Sequence, residues 1–418
     1  MSQPGIREGL KLLNRPDFAK LFVAYLISYF GTAMAPIAIA FGVLDLTGST
    51  KDSAIVIAAP TTAQIVVILI GGTLADRSSR KHMLVIADSL AMTSQIVIAY
   101  LFISGNATVP LLTILMFITG SAYALHAPAA TGFIPQIVPR EDLQAANALL
   151  GAARNSSFTL GAAMAGILVA TIGAGMTMAI DGISFGISAL LIASLRPRQQ
   201  AAPEEASFIE DLRLGWQEFI THKWLWTIVL QFSLVVAALD AVFGLLGPAV
   251  TKLQMNGAVD WGIISAGLGL GTLTGGILVL KLQVRRPMLF ATICVFLFSL
   301  LPLALAVPLS LAAITAMAFL GGVAGEIFGV LWYTTLQKKI PPHLLSRVSA
   351  YDHLGSICLA PLGIVVAGFL FEFLGSRETL LIAAATVVIP TLCVLCVREV
   401  RELTTDEVNQ SHRETRTA

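Results

Sequence analysis

Apolar residues along this chain come in long unbroken runs, separated by short clusters of charge. The runs lie at about 20–44, 53–75, 83–104, 109–134, 144–172, 175–195, 224–250, 260–280, 288–306, 309–334, 348–372 and 377–397. Each is close to the roughly 20 apolar residues that carry a helix across a bilayer. None alternates with the period of two of a membrane strand, and a continuous helix satisfies its own backbone polar groups in hydrocarbon. The pattern predicts an all-α integral membrane protein with twelve transmembrane helices.

Composition agrees. The 418 residues are 56% hydrophobic and 12% charged, with mean hydropathy +0.82, against about 25% charged residues in a soluble domain. The net charge of +1 offers no field directed at nucleic acid. The stretch from Met1 to Lys20 is polar and lacks the pattern of a cleavable signal. Cys294, Cys358, Cys393 and Cys396 all fall in predicted spans. Cys393 and Cys396 share a helical face, but no histidine or second cysteine pair accompanies them, so buried packing is expected rather than a metal site. No nucleophile–base pair, phosphate loop or metal cluster points to an enzyme, and no cofactor is expected.

Cytoplasmic loops collect Lys and Arg. With the N-terminus inside, 22 of the 26 basic residues fall on inner segments. Only Lys51, Lys252 and Arg377 fall on outer loops, and Arg154 alone lies within a span. One helix more or fewer would move every later loop to the other side. The count therefore places both termini in the cytoplasm.

The longest internal polar segment divides the chain. Residues 1–195 form a first six-helix bundle, 196–223 a cytoplasmic linker, 224–398 a second bundle and 399–418 a tail. Within the linker, 207–222 reads as a short amphipathic helix lying on the inner membrane face. The halves repeat. At a shift of 202, Pro139 falls on Pro341, Leu143 on Leu345, Gly161 on Gly363 and Gly173 on Gly375. At a shift of 204, Gly72 falls on Gly276, Arg77 on Lys281 and Lys81 on Arg285, with Leu280 in place of Asp76. Two pseudo-symmetric bundles imply a site between halves near the bilayer midplane.

The loop Gly72–Lys81 resembles the signature between the second and third helices of the major facilitator superfamily. Gly72, Asp76, Arg77, Arg80 and Lys81 match it, and Ser79 stands where the family has Gly. The run from Gly161 to Gly166 is similar to the antiporter motif of that family, with Ala162 in the Pro position. The stretch from Phe133 to Arg196 resembles a bacterial exporter branch for macrolide- and siderophore-type compounds. The resemblance implies the twelve-helix facilitator fold and an inner gate. In that gate Asp76 docks on the start of the eleventh helix and pairs with Arg140 or Arg347, while Arg77, Arg80 and Lys81 also serve topology. Gly161, Gly166, Gly363 and Gly368 are expected at close helix contacts, either at an interface that rocks between halves or in ordinary packing.

Ionisable groups inside spans are costly and point to function. His126, Arg154 and Glu326 lie in inner halves of their spans. Arg154 is expected to pair either with Glu326 across the halves or with Asp88 in its own half. Asp240 is the most isolated carboxylate and a candidate for carrying a proton or touching substrate, whereas Asp181 is expected to pack helices. The resemblance places the first, fourth, seventh and tenth helices around the cavity, so Tyr25, Tyr29, Phe117, Tyr123, His126, Gln231, Phe243, Phe328 and Trp332 are candidate cavity residues. Such an aromatic wall suits an amphiphilic organic molecule. Proton-coupled export of a drug, antibiotic or siderophore-like metabolite by a plasma-membrane monomer is the leading expectation. Nutrient uptake, lipid translocation and a non-transporting receptor are the alternatives.

Overall fold

The computed structural model describes residues 10–71, 79–197, 208–341 and 344–404. Among them there is no strand. Ten helices among the described residues are long and apolar enough to cross a membrane. Leu143–Ala193 contains two spans joined at Gly173, and Thr50–Gly71 supplies another, which completes the twelve read from the sequence. In order, the first four spans are Pro16–Thr47, Thr50–Gly71, Arg80–Ile103 and Val109–Ile137. The fifth and sixth are the two arms of Leu143–Ala193. The last six are Lys223–Gln254, Ala258–Val279, Pro287–Leu305, Leu311–Lys339, Leu345–Leu374 and Ser376–Leu395.

The sequence repeat is written into the backbone. The fifth and eleventh spans begin at Leu143 and Leu345, 202 positions apart. Each ends at a glycine of nearly the same conformation: Gly173 at φ 81°, ψ 166° and Gly375 at φ 92°, ψ 173°. That region of backbone space is open essentially to glycine alone, so a sharp reversal between the paired spans demands glycine in both halves.

Contacts group the chain into two units, Met1–Glu204 with Thr251–Ala266 and Glu205–Val250 with Gly267–Ala418. In the first unit, the first and third spans both pack along Leu143–Ala193, and the second packs on the fourth. Phe18, Leu21, Tyr25, Leu84, Phe133 and Ile192 meet in its core. In the second unit the seventh span packs on the eleventh and twelfth, and the tenth on the ninth. Lipid gives helices no hydrophobic reason to associate, so small residues and polar contacts carry the packing. Gly161 lies where an added Cβ would stand 2.7 Å from the Ala33 Cβ and 2.8 Å from the Phe30 carbonyl oxygen. Its counterpart Gly363 lies 2.6 Å, by the same measure, from the Ala237 carbonyl oxygen. Both are contacts inside a bundle. Gly166 rests on the carbonyl of Ala258 within the first unit.

Outward faces are apolar, with Leu160, Leu190, Ile277 and Phe373 exposed, as a lipid-facing surface requires. Hydroxyls on such faces need an internal acceptor: Thr93, Thr113, Thr171 and Thr274 each donate to the carbonyl four residues back at 2.8 Å. The cysteines depart from expectation. Cys358, Cys393 and Cys396 are exposed and Cys294 is half-buried, because the twelfth span turns the shared face of Cys393 and Cys396 outward, away from the bundle.

The amphipathic linker helix is Phe208–Thr221 and belongs to the second unit. Trp216 and Phe219 close on Tyr351 of the eleventh span, at ring centroid distances of 5.4 and 6.0 Å. Gly215 lies against the Cβ of Arg347.

Candidate functional site

Helical spacing lines up polar residues on four spans of the first unit. Asp88 and Gln95 are seven apart on the third span, Thr119, Tyr123 and His126 follow one stripe on the fourth, and Asp181, Ser184 and Ser188 one on the sixth. Tyr25 joins them from the first. Asp88, 1% exposed, accepts a 2.6 Å hydrogen bond from Ser188 Oγ at Oδ2. Its Oδ1 is 3.4 Å from His126 Nε2, close but without the geometry of a hydrogen bond. The His126 ring tilts over Tyr25 at 5.9 Å between centroids.

One turn or two further along, Asp181, 0% exposed, accepts from Gln95 Nε2 at Oδ2, 2.7 Å. Its Oδ1 has no partner and faces Gly31 of the first span, where an added Cβ would come within 2.6 Å. Gln95 Oε1 and the Tyr25 hydroxyl also lack partners. No lysine or arginine pairs with either carboxylate among the described residues. The expected pairing of Arg154 with Asp88 is therefore absent: Ser188 and His126 take the Asp88 carboxylate, and Arg154 is exposed on the fifth span.

In the second unit Phe232, Phe328 and Trp332 form a stack, with centroid separations of 4.3 and 6.0 Å. Trp332 Nε1 donates to Asp352 Oδ2 at 3.0 Å. These residues, with His353, Ser356 and Phe298, line a cavity of 260 Å³. Asp352 and His353 were not among the residues singled out in the sequence. The available signal was an acidic residue within an apolar span, a few residues past its start.

Other candidates find separate places. Gln231 donates to Thr391 Oγ1 at 2.8 Å inside the second unit. Asp240 has no hydrogen-bond or ion-pair partner among the described residues and stands one residue, Ala241, short of a π-helical turn, Val242–Leu246, which contains Phe243. Such turns recur at functional sites. Glu326 lies over Gly275 and Gly276 of the eighth span. Tyr29 packs on Phe158 and Tyr123 on Phe185, while Phe117 is exposed.

Of the expected gate, Gly72, Asp76 and Arg77 lie outside the described residues, as does the Arg140 side chain. Lys81 Nζ donates to the Leu195 carbonyl at 2.8 Å, closing the C-terminal end of the sixth span. Arg80 lies across Gly132 of the fourth span.

Known proteins share this architecture. The fold is similar to that of a nucleoside transporter, NupG, with a TM-score of 0.69 at 15% identity over 91% of this chain and 98% of that one. It also resembles a bacterial homologue of the iron transporter ferroportin in an inward-facing state, with a TM-score of 0.70 at 15% identity over 90% and 98%. In sequence, the chain is 26% identical to the multidrug efflux pump Tap of Mycobacterium tuberculosis over 400 residues, 93% of this chain and 94% of the relative. It is 23% identical to macrolide efflux protein A of Streptococcus pyogenes over 344 residues, 79% and 84% of the two chains. Residues 9–417 match the family described as transmembrane secretion effector. The chain is thus a multi-pass membrane transporter that belongs to the transmembrane secretion effector family of the major facilitator superfamily.

Proposed function

We propose that this transporter exports an amphiphilic small molecule across the plasma membrane in exchange for protons, by alternating access, with both termini in the cytoplasm. The similarity to drug and macrolide efflux proteins supports the direction and the cargo class. The observation that carries proton exchange is the Asp88–His126–Ser188 cluster. A carboxylate 1% exposed within a span, with no lysine or arginine paired to it among the described residues and an imidazole beside it, is the kind of buried ionisable group that marks proton relays. His126, its Nε2 3.4 Å from Asp88 Oδ1, is a second ionisable group beside that carboxylate. The unpartnered Asp181 Oδ1 is a second acceptor in the same bundle.

The inner gate, with Asp76 against the start of the eleventh span, and the Arg154–Glu326 pair between halves belong to the same proposal. Each would close the inner side and open once per cycle. The aromatic side chains on the first, fourth, seventh and tenth spans would contact cargo in either state.

Reconstituted protein in liposomes carrying an imposed pH gradient tests the whole reading. A panel of amphiphilic drugs, a nucleoside and a fluorescent phospholipid would be offered, and accumulation measured against the gradient. Drug movement driven by the gradient supports export by exchange. Drug movement indifferent to the gradient refutes proton coupling, and movement of the nucleoside or the phospholipid alone refutes the cargo class.

A further inference from the structure

The 260 Å³ cavity of the second unit has two unlike sides. One is aromatic: Phe232 and Phe328 are stacked 4.3 Å apart, with Trp332 on the far side of Phe328. The other is polar, made by Asp352, its neighbour His353 and, one turn on, Ser356 of the eleventh span. Asp352 is fixed in place by the bond from Trp332 to Oδ2. Among the described residues its Oδ1 accepts no hydrogen bond, and no lysine or arginine lines the cavity. The cavity therefore presents an immobilised carboxylate oxygen in front of aromatic faces. Carboxylates attract cations, and the negative face of an aromatic ring attracts them too. An anion would meet repulsion from both sides, and a neutral apolar molecule would leave the carboxylate unpaired at a cost.

We propose that this cavity is a subsite for a protonated amine carried on a flat apolar body. The ammonium donates to Asp352 Oδ1, with His353 and Ser356 as further polar neighbours, and the ring system lies along Phe232 and Phe328. Drug-sized molecules occupy roughly 300–1,000 Å³, so 260 Å³ takes one aminated ring fragment and leaves the rest of a larger cargo outside. The subsite rests on the export reading for its biological meaning and names its substrate class, cationic amphiphiles. The packing of Trp216 and Phe219 on Tyr351, the residue before Asp352, ties the linker helix to the wall of this cavity.

A matched pair of ligands separates charge recognition from ring packing. Titration calorimetry on the full chain in lipid nanodiscs at neutral pH would compare 2-naphthylethylamine, a cation, with 2-naphthylethanol, its neutral counterpart. The wild type is expected to bind the amine about tenfold or more tightly than the alcohol, in line with a charge-assisted hydrogen bond. Asp352→Asn retains an acceptor for Trp332, and it should abolish that preference while leaving the affinity for the alcohol unchanged. Phe328→Ala should weaken both ligands alike. Equal affinities in the wild type, no binding of either ligand, or an amine preference that survives Asp352→Asn would each overturn the subsite. A melting curve for each variant guards against misfolding, and His353→Gln, expected to fold, provides a second test of the polar side: a tighter preference for the alcohol would overturn the assignment. Gradient-driven transport is a separate assay, so the subsite can fail while the export reading stands, and the reverse.

Discussion

Replacing Asp88 by Asn separates a proton-carrying role from a structural one, because the two roles predict opposite changes in stability. In the structure the carboxylate has one short hydrogen bond, 2.6 Å from Ser188, and one near contact, 3.4 Å from His126. The amide keeps the shape and can still accept from Ser188. Exchanging a charged acceptor for a neutral one gives up about 1 kcal/mol, the difference between roughly 1.5–3 and 0.5–1.5 kcal/mol. Against that, a buried ion loses several kcal/mol of solvation, about the size that removing the charge would return. The balance predicts a variant at least as stable as the wild type. Transport should respond otherwise. One pH unit supplies ~1.36 kcal/mol per proton exchanged, about tenfold in accumulated cargo. If Asp88 carries the proton, Asp88→Asn should lose that accumulation, with the inside-to-outside ratio falling towards unity. Exchange of labelled for unlabelled cargo at equal pH needs no net proton movement and should persist. The assay is uptake into inverted vesicles with and without a gradient, beside a melting curve of the purified protein. Full gradient-driven accumulation by a well-expressed Asp88→Asn would refute the reasoning, as would a drop in melting temperature matched by loss of both transport and exchange.

The remaining predictions concern the backbone and the gate. Gly375→Ala places a side chain at φ 92°, ψ 173° and should cost about 1–3 kcal/mol, read as a lowered melting temperature. Gly151→Ala is the control, since an added Cβ there meets nothing within 4 Å and the helix should gain up to about 1 kcal/mol; equal melting for the two variants would count against the conformational argument. Asp76→Ala should express and melt normally yet transport slowly, and normal transport would remove Asp76 from the gate. Arg154→Glu should impair transport and regain it when Glu326→Arg is added; a double variant no better than the single one rules out the pair.

Spans were legible because the bilayer imposes one requirement on every residue of a run, and hydropathy records it directly. The repeat was legible for a second reason: glycine at 173 and 375 is demanded by a backbone that no other residue adopts, so the identity itself survives in the sequence. Side-chain partnerships were not. Asp88 and Arg154 share a half, which is all that spacing reveals. Whether they meet depends on how far each helix is rotated about its own axis, and the packing turned Asp88 towards Ser188 and His126. The bond between Trp332 and Asp352 joins residues 20 apart. Asp352 stands so near the start of its span that nothing in the spacing distinguishes it from a charge at the membrane boundary.

What the two halves do not share points further than what they do. At the 202-residue shift His126 falls on Phe328 and Asp181 on Ala383, and at the 204-residue shift of the loop just before it Asp88 falls on Thr292. The buried titratable set of the first unit thus has no titratable counterparts in the second, and Phe328 is a wall of the aromatic cavity. A duplicated bundle that kept its backbone and exchanged its buried chemistry suits a division of labour, with proton exchange in one half and cargo recognition in the other. Coupling between them would then run through the motion of one half against the other, because no shared residue would serve both. On this argument Asp88→Asn should abolish accumulation and leave the amine preference intact, whereas Asp352→Asn should do the reverse to cationic cargo while neutral cargo still follows the gradient. A single variant that abolished both properties without unfolding the protein would show one site performing both tasks.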